Sequence, residues 1–150
     1  MGCDIHYVIE QKDKKLGWVG VFGTDVPMMC TPWEVRQRMP AFRFKSRNYT
    51  FFGALAGVRT DGPDPLGLPE DASHMSKMYA KYWGCDGHSH SYCSLRDFIT
   101  AYLKSNNHGI VEMVKEKLEG SDPVDQFAEQ QLDIYASDLD EYRVVFWFDN

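Results

Sequence analysis

The sequence predicts one α+β domain spanning 1–150, with an antiparallel sheet of three or more strands that includes both chain termini and helices packed mainly on one face. Three observations carry this. Cys3-Asp4-Ile5-His6-Tyr7-Val8-Ile9-Glu10 alternates with a period near two and is rich in β-branched and aromatic residues. Tyr142-Arg143-Val144-Val145-Phe146-Trp147-Phe148-Asp149-Asn150 reads as a terminal strand so apolar that it needs cover on both faces, and the first strand is its natural neighbour. Between them Leu95, Phe98, Ile99 and Leu103 recur at helical spacing.

Taken in order, the first strand ends at the turn-like Gln11-Lys12-Asp13-Lys14-Lys15, and Gly17 to Phe22 returns as its hairpin partner. Pro27, Pro32 and Pro40 break up a connection with few periodic signals. Thr50 to Gly57 suits a short buried helix closed by its glycine. Residues 59–69 hold Pro63, Pro65 and Pro69 and predict a loop, after which Ser73 caps a helix that runs to Trp83 and stops at Gly84. Asp86-Gly87-His88-Ser89-His90-Ser91 reads as a flexible loop. Ser94 followed by Asp97 resembles a capping box and opens a helix over 94–104. Two further helices are expected over 110–118 and 124–136, before the terminal strand.

Composition narrows the function. Sixteen basic against 22 acidic residues give a net charge of −6, which disfavours the phosphate neutralisation that duplex nucleic acid requires. No apolar run approaches the 18 or more residues of a membrane span, the first residues lack a signal-peptide profile, and an acylation signal would want Ser or Thr where His6 stands. A cytoplasmic protein without membrane or duplex partners is expected, with Cys3, Cys30, Cys85 and Cys93 as thiols.

Chemistry-bearing residues fall into two groups. Asp4 and His6, two apart on a strand, share a face. With Asp86, His88, His90 and Asp149 they supply the nitrogen and oxygen donors that suit zinc, manganese or iron. The structural alternative is that His6 is a satisfied core residue and that His88 and His90 cap the following helix. Cys3 points away from Asp4 and His6 and is expected to be a buried apolar thiol. Lys45, Arg47 and Arg59 flank the short helix as an anion site, to which Asn48 adds an amide and Tyr49 a stacking face. Ordinary surface pairing is the alternative for these arginines.

With Met1-Gly2-Cys3-Asp4-Ile5-His6, Arg47-Asn48-Tyr49, Leu55-Ala56-Gly57-Val58-Arg59, Gly67-Leu68-Pro69, Asp86-Gly87-His88-Ser89-His90-Ser91 and Phe146-Trp147-Phe148-Asp149-Asn150 assembled, the chain resembles a family of small uncharacterised proteins encoded by tailed bacteriophages. The resemblance implies work in the bacterial host cytoplasm. By analogy with phage accessory proteins it implies a phosphorylated small molecule, a nucleotide or a host-defence signal, as ligand. The leading expectation is a metal-dependent phosphoester hydrolase. Asp4, His6, His88 and His90 would hold a divalent metal, zinc or manganese, that activates water, and Arg47, Asn48, Tyr49, Arg59 and Ser91 would bind substrate. The alternatives are a non-catalytic protein that sequesters a nucleotide signal and a protein-interaction module.

Overall fold

The computed structural model describes residues 2–24, 42–44, 47–105 and 122–149. The expected helix over 110–118 and the connection over 25–41 lie outside them, as does Lys45. The first strand, β1 (Ile5–Asp13), turns into β2 (Gly17–Gly23), and the carboxylate of Asp13 accepts the backbone N–H of Lys15 and Leu16 at 2.8 and 2.9 Å to close the turn. The terminal strand β4 (Tyr142–Phe148) pairs antiparallel with β1, placing Ile5 opposite Phe148. A fourth strand, β3 (His88–Ser94), pairs antiparallel with β4, and the sheet order is β2-β1-β4-β3. Both terminal strands are therefore central.

Strand β3 corrects the reading of the 86–91 stretch as a flexible loop. The pairing skips between His88 and Ser91, where Ser89 takes a φ of 56°, so one extra residue interrupts the alternation that would have marked the strand. Polar His, Ser and Gly residues at the sheet edge further weaken the pattern.

Alternation on β1 and β4 divides the core. Ile5, Tyr7 and Ile9, with Val144, Phe146 and Phe148, face three helices: α1 (Tyr49–Ala56), α3 (Leu95–Ser105) and α4 (Pro123–Gln131). Phe44, Phe51, Phe98 and Phe127 fill the space between, Phe98 meeting Phe44 and Phe51 edge-on and Phe44 lying tilted against Phe51 and Phe127. Val8, Val145 and Trp147 face the other way, against Met75, Tyr79 and Ala80 of α2 (His74–Trp83). Among the described residues the helices thus lie mainly on one face, with α2 the one on the other. That single helix covers the face to which His6 and Glu10 also belong.

Caps hold the helices where the sequence places them. Asn48 Oδ1 accepts the Phe51 N–H at 3.1 Å to open α1, and Gly57 closes it in the left-handed conformation, φ 66°. Ser73 Oγ accepts the Ser76 N–H at 3.2 Å on α2, and Ser94 Oγ accepts the Asp97 N–H at 3.0 Å on α3. The helix expected over 124–136 stops at Gln131. Asp133 turns to φ 55°, the Ile134 N–H bonds back to the Ala128 carbonyl at 3.0 Å, and a 3-10 segment, Ala136–Glu141, leads into β4. Among the described residues, no helix is long and apolar enough to cross a membrane.

At the far end of the α2 face, Glu10 is wholly buried. Its Oε1 accepts Arg143 Nε at 2.6 Å, and its Oε2 accepts both the Ser73 N–H and the Ser76 hydroxyl at 2.7 Å. Arg143 also donates to Asp71 Oδ1 at 2.9 Å, and its guanidinium lies 4.1 Å from the Trp18 ring centroid. With Nη2 donating to the Asp71 carbonyl at 3.1 Å, each guanidinium nitrogen and each carboxylate oxygen of the pair has a partner, as buried charges require. This network fixes the start of α2 on the sheet.

Candidate functional site

A cleft of about 670 Å³ opens at the end of the sheet where β1 begins and β4 finishes. Asp4, Arg47, Asp86, His88 and Asp149 line it, together with Gly2, Trp83 and Cys85. The antiparallel register of β1 and β4 brings the two ends together. The Asp149 N–H donates to the Asp4 carbonyl at 3.1 Å, and the Asp4 N–H donates to Asp149 Oδ1 at 3.0 Å.

The second oxygen of Asp149 lies 2.8 Å from His6 Nε2. A carboxylate only accepts, so Nε2 carries the hydrogen of this bond. His6 Nδ1 lies 3.4 Å from the hydroxyl of Tyr79, which donates to the Thr24 carbonyl at 2.5 Å. The Trp83 ring packs on the imidazole with centroids 4.0 Å apart. Helix α2 therefore holds His6 through Tyr79 and Trp83, and His6 in turn aims Asp149. Each Asp149 oxygen keeps a lone pair beyond these bonds.

Arg47 reaches across the start of the chain to Asp4, with Nε 2.7 Å from Oδ1 and Nη2 3.2 Å from Oδ2. This fork holds the Asp4 carboxyl below the usual carboxylate range and raises the arginine's own pKa. On the opposite wall, Asp86 and Cys85 are exposed on a 3-10 turn, Gly84–Asp86, and His88 Nδ1 lies 2.9 Å from Ser89 Oγ. Three carboxylates against one guanidinium make the described lining acidic.

The other candidates are placed elsewhere. His90 stacks on Trp147 with centroids 5.6 Å apart, whereas the His88 ring lies 6.3 Å from Phe148. Since neighbours on β4 face opposite sides of the sheet, the two imidazoles are divided between the faces, and His90 does not line the cleft. Burial, with His88 nearby as the lesser cause, pushes the pKa of His90 down. Neither histidine caps α3, because Ser94 does.

Asn48 is occupied as a helix cap and as donor to the Ser105 carbonyl at 3.2 Å. Ser91 is buried and accepts the Leu66 N–H at 3.1 Å. Arg59 lies over the Tyr49 ring, 5.6 Å from its centroid, and the Tyr49 hydroxyl accepts the Cys3 N–H at 3.3 Å. Cys3 is fully buried, as expected from its place on the alternating strand, and burial raises its pKa, with Arg59 pulling the other way. Of the proposed anion site, Arg47 alone lines the cleft among the described residues.

Trp83, Tyr79, Cys85 and Gly2 lie at or beside the cleft without being among the site residues the sequence predicts. Trp83 carried a signal, being an aromatic residue at the last position of a capped helix, immediately before the turn that bears Asp86. Tyr79 stands one helical turn before Trp83 and so shares its face. Among the described residues, no group of three His, Cys, Asp or Glu side chains is arranged to hold a metal ion. The donor types present still suit a divalent cation, and Asp4 already carries a cationic partner in Arg47. Compared with protein-family models, curated proteins and solved structures, the chain has no match.

Proposed function

We propose that the cleft binds a divalent cation, zinc or manganese, and through it a phosphorylated small molecule such as a nucleotide, whose phosphoester it hydrolyses in the bacterial host cytoplasm. The observation that supports this reading is convergence: Asp4, Asp149, Asp86, His88 and Arg47 come from four separate stretches of chain and meet in one cleft. Three carboxylates and one guanidinium repel a phosphate unless a cation neutralises them, so the same lining that attracts a cation makes the phosphate depend on it. Bound there, a divalent cation would polarise the phosphoryl oxygens and lower the pKa of water.

The chain's own residues divide the work. Asp149, held by His6 and the Asp4 N–H, presents its remaining lone pairs in a fixed direction. His88, with Ser89 Oγ at its Nδ1, has the outer-partner arrangement typical of ligating imidazoles. Arg47 binds the phosphate with its planar fork. Trp83 offers an aromatic edge to a base.

Binding without turnover is the second reading, favoured by Trp83 and Arg47, which hold a nucleotide without taking part in chemistry. Incubating purified protein with nucleoside monophosphates and Mn²⁺ or Zn²⁺, followed by ³¹P NMR and metal analysis, separates the two. The expected result is release of inorganic phosphate that Asp149→Asn abolishes. Tight binding with the nucleotide returned intact replaces hydrolysis by sequestration, and absence of any binding removes both in favour of a protein-interaction role.

A further inference from the structure

We draw no further inference here: the strongest candidate, the apolar cavity of about 360 Å³ between the 63–66 loop, α1, α3 and β3, lined by Leu55, Leu66, Cys93 and Ala101, is a groove for which nothing in the structure shows what covers it.

Discussion

Asp4 and Glu10 sit on the same face of the first strand region, about 20 Å apart by strand rise, and each is paired with an arginine from a distant part of the chain. The two pairs could hardly differ more. Glu10 is sealed under α2, with both oxygens engaged by Arg143, Ser73 and Ser76. The Asp4 carboxylate is held by Arg47 alone among the described side chains, and both partners face the cleft. A carboxylate with all its bonds made inside the protein is spent on the fold, whereas one whose partner is weakly held can change partners. Composition and spacing treat the two acids alike; burial separates a sealed structural pair from an exposed one that faces the cleft.

The largest effect should come from breaking the closed pair. Glu10→Ala leaves Arg143 only its partly exposed partner Asp71 and leaves the Ser73 N–H and Ser76 hydroxyl without their acceptor, and should cost about 3 kcal/mol in urea unfolding. Arg47→Ala, exposed at the other end, should leave the unfolding midpoint close to that of wild type. Comparable losses from the two substitutions would erase the distinction between the ends.

A smaller effect concerns His90, half-buried on Trp147. Burial depresses its pKa, so the unfolded chain takes up a proton that the folded protein resists. Stability should therefore be full above the ordinary histidine value of about 6.5 and decline as pH falls below it toward the lowered folded value. His90→Phe keeps an aromatic ring against Trp147 and should flatten this dependence in melting curves between pH 5 and pH 8. An unchanged slope would show that His90 is not the group responsible.

The sheet was legible because its two central strands are apolar and alternate, and because a chain end that carries Phe146, Trp147 and Phe148 must pair to be buried. Helix bounds followed from single capping residues, Ser73, Ser94 and Gly57, whose effect is local. Strand β3 was hidden by its bulge at Ser89 and by polar residues that make loop and edge strand look alike. In the site, Asp4, His6 and Asp149 were legible from strand parity and from the pairing of the termini. The separation of His90 from His88 was not, because spacing of two implies a shared face only in a regular strand. Trp83 and Tyr79 reach His6 through the docking of α2, which the helix's own sequence does not announce.

Paramagnetic broadening by Mn²⁺ in a ¹H–¹⁵N spectrum reads the contrast between the two ends of the strand in one experiment, since the effect falls off steeply with distance from the ion. With substoichiometric Mn²⁺, the amide signals of Asp4, His6, His88 and Asp149 should broaden and disappear while those of Glu10 and Arg143 stay sharp. Broadening centred on the Glu10 end, or spread evenly over the acidic surface, would contradict the assignment of a cation-binding cleft to the meeting point of the two terminal strands.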